Sequence, residues 1–169
     1  MPLGAGLSSS AALELAAARA FSVTSKVAWD ATEMAKIGQR AENEWVGMKS
    51  GIMDQMISAT GSVGNAVLID CRWLTIDPMP LPPGTVVAVL DTGTRRTHVT
   101  SGYNERRQQC EQAAQFFHVP ALRDVTMEQF MAAQDLLDPL IALRARHVIG
   151  ENARTLQAAA AMRAGDQTS

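Results

Sequence analysis

Near its start the chain reads Pro2-Leu3-Gly4-Ala5-Gly6-Leu7-Ser8-Ser9-Ser10-Ala11, a run of residue types suited to holding an anion. Glycine lets the backbone take positive φ and approach a ligand with no Cβ in the way. Serines cap helices well. The first turn of the alanine-rich stretch that follows would offer unpaired N–H groups and the positive end of a helix dipole, a combination that favours bound phosphate. An ordinary glycine turn capping an ordinary helix would account for the glycines alone. The serine triplet is what favours the ligand, because its hydroxyls could also reach a metal ion. The run is not a Walker A loop, which needs Gly-Lys before Ser or Thr; the nearest lysine is Lys26. Nor does it have the third glycine of a dinucleotide fingerprint. A nucleotide bound here would need Mg²⁺ and residues from elsewhere to balance its charge.

The elements that must position this loop follow from periodicity and caps. Ser10 to about Val23 predicts a helix rich in Ala, Leu and Glu. Asp30 opens a second helix with Glu33 three residues on, in the manner of a capping box, and Met34, Gly38, Ala41 and Trp45 mark its buried stripe. Gly47 and Gly51 flank an irregular segment, and a further helix is expected from Asp54 to Thr60, ending at Gly61. Ala66 to Cys71 reads as a buried strand and Val86 to Leu90 as a second one. Between them the prolines of Met79-Pro80-Leu81-Pro82-Pro83-Gly84 predict a loop. Beyond Asp91-Thr92-Gly93 the pattern turns helical: Gly102 to Phe117, Thr126 to Leu137, and Asp138 to Ala164. The last carries Pro139 at its first position and Gly165 at its end. A boundary is expected near residue 98.

The 169 residues include 47% apolar types and carry a formal net charge of −2, which points to a globular protein and gives no sign of nucleic acid or an anionic membrane as partner. No apolar run is long enough to span a bilayer. Cys71 and Cys110 have no metal-ligand spacing, and with only two cysteines a reduced, cytoplasmic setting is the expectation. Nothing resembles a signal peptide. Two strands are too few for a stable sheet, and a phosphate loop of this kind normally follows a strand. The chain is therefore expected to be an internal piece of a larger protein.

The run PLGAGLSSSAALELA resembles the second, ATP-binding motif of the GHMP small-molecule kinases. AENEWVGMKSGIMDQ, residues 41–55, is similar to a stretch of the galactokinases within that family, and its Gly-Ile-Met-Asp-Gln core differs from the shorter Gly-x-Asp form of mevalonate-kinase-like relatives. YNERRQQCEQAAQFF, PALRDVTMEQF and RARHVIGENART resemble bacterial galactokinases in order and spacing. The likeness runs from residue 2 to about residue 166.

The resemblance implies an α+β fold of two lobes, ribosomal-S5-like and ferredoxin-like, present here incompletely: residues 1–98 would be the remainder of the ATP-binding lobe and 99–169 the start of the mainly helical part of the second. It implies phosphorylation of the anomeric hydroxyl of α-D-galactose by ATP with Mg²⁺. Gly4, Ala5, Gly6, Leu7, Ser8, Ser9 and Ser10 match the phosphate cradle, with Ser10 and Glu42 as the Mg²⁺ ligands. On residue type alone Glu42 reads as a solvated helix carboxylate. Asp54 matches the catalytic aspartate; on residue type alone it reads as a helix N-cap, and the two roles are compatible. Phosphoryl transfer is mostly positioning and charge stabilisation, so orienting the sugar hydroxyl matters more than pulling on its proton. Gly51, Asp54 and Tyr103 would face the sugar. Tyr103 reads equally well as one anchor of a stripe with Cys110, Ala114 and Phe117. Arg95, Arg96, Arg106 and Arg107 read as surface ion-pairing residues, and His98, His118 and His147 have no metal spacing.

The sugar-binding signature ahead of the second motif and the glycine-rich third motif lie outside these 169 residues, so negligible kinase activity is expected of this chain by itself. Two other readings compete. One is a different GHMP kinase, acting on mevalonate or homoserine, against which stand the Gly51-Ile52-Met53-Asp54 spacing and the later segments. The other is a sensor that binds sugar and ATP without catalysis, which would be expected to have lost its loop or its aspartate; Ser9-Ser10-Ala11 and Asp54 are both in place. Oligomeric state is open.

Overall fold

A computed structural model describes residues 6–90 and 99–165, with side chains from residue 102 onward in the second segment. The chain divides into two compact units, Met1–Val99 and Thr100–Ser169.

In the first unit, helix α1 spans Ser9–Thr24 and α2 spans Ala31–Ala41. Asp30 caps α2 as its sequence suggests, Oδ1 accepting from the Glu33 amide at 3.0 Å. α2 then runs into a π turn, Glu42–Val46, closed by Gly47 at φ +76°. Each π turn takes in an extra residue relative to an α-helix. The periodic stripe therefore breaks: Gly38 is buried, but Trp45, expected beside it, is 88% exposed. Helix α3, Met53–Thr60, ends at Gly61. Ala35, Ile52 and Met56 form the apolar centre of the unit, with Ala59, Ile69 and Leu74 packed on it. Met56 is wholly buried, and such burial contributes roughly 1.5–3 kcal/mol.

Strand β1 is Asn65–Asp70, half-buried along its length rather than fully buried. Its antiparallel partner β2, Thr75–Pro80, lies in part where prolines predicted a loop. The register explains the difference. The Leu81 amide donates to the Gly64 carbonyl at 2.9 Å, so the hydrogen-bonded pairs alternate from there. Pro78, opposite Val67, and Pro80, opposite Asn65, fall at the non-bonded positions, where a missing N–H costs the ladder nothing. The hairpin turns on Asp70, whose Oδ1 accepts from the amides of Arg72 and Trp73 at 2.9 and 3.1 Å. Val86 to Leu90 is not a strand. It is irregular and its side chains are exposed, since apolar β-formers extend stably only against a paired neighbour.

The second unit is helical: α4 (Val99–Phe116), a 3₁₀ turn (Leu122–Asp124), α5 (Met127–Ala133), a 3₁₀ turn (Gln134–Leu136) and α6 (Pro139–Ala164). The single helix expected over Thr126 to Leu137 is thus α5 plus a tightened 3₁₀ end. Thr126 and Gln129 form a reciprocal capping box. The Asp138 carboxylate accepts from the amides of Leu140 and Ile141, and Gly165 at φ +68° ends α6. The core is Ala113, Ala114, Leu122, Val125, Phe130, Ala145 and Ile149. Among the described residues no helix is long and apolar enough to cross a membrane.

Candidate active site

Gly4 and Ala5 lie outside the described residues, as do Arg95, Arg96 and His98. From Gly6 onward the loop lies within the described residues. Gly6 takes φ +76° with open space where a Cβ would stand. Ser8, the N-cap of α1, sits in the left-handed region at φ 58°, ψ 38° and makes no side-chain capping bond. The amides of the first helical turn, at Ser9, Ser10 and Ala11, consequently have no acceptor within the helix. Leu7 and Ser10 are exposed, and Ser8 and Ser9 half-buried.

The polar groups behind this loop form one connected chain. Ser10 Oγ donates to Glu14 Oε1 at 3.2 Å, one turn along α1. Gln55 on α3 reaches back with Nε2, donating to Glu14 Oε2 at 3.3 Å and to Glu42 Oε2 at 3.0 Å. Ser50 Oγ donates to the same Glu42 oxygen at 2.8 Å, and Gln39 Nε2 holds the Ser50 carbonyl at 3.1 Å. Glu42, expected on residue type alone to be solvated, is only 5% exposed. It begins the π turn, one helical turn beyond Gly38 on the same face of α2. Gly38 is where the helices approach: a Cβ there would stand 3.1 Å from Glu14 Oε2 and 3.2 Å from Gln55 Cγ and Leu15 Cδ2.

Two features mark this network as more than packing. Burying a carboxylate is costly unless it is paired or coordinates a metal, yet Glu42 accepts only from neutral donors among the described residues. Gln55 is fully buried, and its Oε1 has no hydrogen-bond partner. Among the described residues no group of three or more His, Cys, Asp or Glu could enclose a metal ion.

Asp54 is half-buried in the first turn of α3. It is not the N-cap, a position held by Ile52, so the capping role open to it is a correction. Among the described residues its carboxylate has no hydrogen-bond partner, and it directly precedes Gln55. Gly51 is exposed in the segment just ahead. The structure thus brings Ser10, Glu42 and the Asp54 helix together through Glu14 and Gln55, neither of which residue type singled out. Glu14 had one available signal, a carboxylate one turn after a candidate ligand hydroxyl. A groove of about 600 Å³, lined by Ala12, Leu15, Ala16, Arg19, Trp29, Ser58 and Ala59, contains none of these site residues.

Tyr103 belongs to the second unit. It is half-buried, with the Arg106 guanidinium 5.8 Å from its ring centroid. Cys110, Ala114 and Phe117 join the apolar core there, but Tyr103 is not part of it. Burial pushes the Cys110 thiol above its ordinary pKa, against the opposing pull of the Arg144 charge. Arg107 pairs with Glu111 at 2.8 Å.

Residues 1–62 match the family model described as GHMP kinases N terminal domain. The chain is also similar to the crystal structure of Lactococcus lactis galactokinase complexed with galactose, at 32% sequence identity and a TM-score of 0.86, over 98% of this chain and 44% of that one. It therefore spans less than half the length of the galactokinase it matches. Residues 1–62 are thus similar to the N-terminal domain of the GHMP kinases, and the fold is like that of the corresponding part of the galactokinase structure.

Proposed function

We propose that this chain supplies the ATP-phosphate cradle and catalytic aspartate of a galactokinase, which transfers the γ-phosphoryl group of ATP to the C1 hydroxyl of α-D-galactose. The observation that carries the reading is the bonded chain from Ser10 through Glu14 and Gln55 to Glu42, with Asp54 beside Gln55. The uncapped amides at the start of α1, opened by Gly6, would hold the phosphates. Ser10 and Glu42 fit magnesium: both offer oxygen, the buried Glu42 charge has no cationic side chain to balance it among the described residues, and Mg²⁺ near phosphates commonly takes only one or two protein carboxylates. When bound, the ion would neutralise charge developing on the β- and γ-phosphate oxygens.

Asp54 would hold the sugar hydroxyl in line with the phosphorus and accept its proton as the new O–P bond forms, with Gly51 against the sugar. The deciding experiment is galactose-dependent ADP release by the full-length protein with and without Asp54→Asn. The expected loss in turnover is at least ~10²-fold with ATP still bound. Unchanged turnover would remove Asp54 from the mechanism. Sugar and ATP binding with no turnover in the parent protein would make it a sensor, and preference for mevalonate or homoserine would move it to another GHMP kinase.

A further inference from the structure

We propose that Glu14 and Gln55 form a positioning bridge that locks the Ser10 hydroxyl and the Glu42 carboxylate into one unit. The inference rests on the reading that those two residues hold magnesium, and extends it to residues that need not touch the ion.

The direction of each hydrogen bond is what makes the bridge informative. Ser10 gives its single proton to Glu14, so the lone pairs of its oxygen remain to face a cation. Glu42 accepts both of its protein donors, Ser50 Oγ and Gln55 Nε2, on Oε2, and its Oε1 accepts none among the described residues. Each residue therefore keeps an oxygen for the ion while the rest of the group is held from behind. The two come from different helices, and Gln55 connects them. Its amide gives one proton to each carboxylate, and the carbonyl oxygen is left buried and unpaired. Turning the amide over would set that oxygen against two carboxylates, so the charges themselves fix its orientation. Without the amide, Glu14 and Glu42 would face each other as like charges and separate. A buried unpaired carbonyl costs stability, and here the amide protons that hold the carboxylates offset that cost.

The test uses Mn²⁺ as the probe, titrated into the full-length protein with ATP and followed by electron paramagnetic resonance, beside ATP binding in chelator. Gln55→Met keeps length and shape but removes both donors. The expected result is Mn²⁺ affinity lowered about 10-fold or more, the range for losing a residue that orients a metal ligand, with metal-free ATP binding unchanged. In a Glu14→Gln background the same change should have a clearly smaller effect, because the two residues act through one contact. Full Mn²⁺ affinity in Gln55→Met, even with a lower Tm, overturns the bridge and leaves Gln55 a packing residue. Should Gln55→Met fail to fold, Glu14→Gln alone decides, since unaltered Mn²⁺ affinity there also overturns it. Glu42→Gln separates the two levels. If it too binds Mn²⁺ like the parent, the magnesium reading fails and the bridge with it; if it alone loses the ion, only the bridge fails.

Discussion

The two units of this chain are held together differently. The second is an ordinary helical core: Phe130, Leu122, Val125 and Ile149 are buried among alanines, and its helix ends are closed by local caps. The first has a smaller apolar centre at Ala35, Ile52 and Met56, and beside it a polar chain running from exposed Ser10 to buried Glu42 and Ser50. Apolar packing is cheap to specify and yields stability. A buried carboxylate and an unpaired amide oxygen cost stability, and both lie in the first unit. The difference separates residues that stabilise from residues that position.

Substitutions in the two regions should therefore fail in different ways. The largest expected effect is in the second unit. Phe130→Ala should lower unfolding free energy by about 3–5 kcal/mol, read by denaturant titration, while Mn²⁺ affinity of the folded protein stays within about twofold. A matching loss of Mn²⁺ affinity would break the separation. Gly38→Ala should do the reverse. Alanine favours the helix by roughly 0.5–1 kcal/mol, and crowding against Glu14, Gln55 and Leu15 costs typically 1–3 kcal/mol. The net destabilisation should be on the order of 1 kcal/mol, with Mn²⁺ affinity several-fold weaker. Lost stability with intact Mn²⁺ affinity would make Gly38 purely a packing residue.

The smallest effect concerns the two cysteines. Cys71 is exposed, and Cys110 lies half-buried against the second core. Burial raises the Cys110 pKa, so less of it is thiolate at any pH below that raised value, and the thiolate is the reactive form. Iodoacetamide at pH 8 should label Cys71 first, with Cys110 catching up only in denaturant. Equal native rates would show that the second core is looser than its packing implies.

What could be read from sequence follows the same division. The helices of both units were recoverable because their signals are local: Asp30 and Asp138 as caps, Gly61 and Gly165 as stops, and Pro139 at a first turn. The Gly-Ser loop, Glu42 and Asp54 stood out through a motif resemblance. Where partners decide, residue patterns misled. Trp45 left the stripe because one π turn shifted the phase. Pro80 entered a strand, not the expected loop, because the register set it at a position that needs no N–H.

By itself, then, the sequence determined the local elements and the loop that opens α1, because dihedral preference, capping and periodicity act over a few neighbouring residues. Only the tertiary structure decided that Gln55 joins Glu14 to Glu42. A glutamine carries no local sign of which acceptors its amide will meet; that depends on three helices closing on Gly38, where the absence of a Cβ lets them approach.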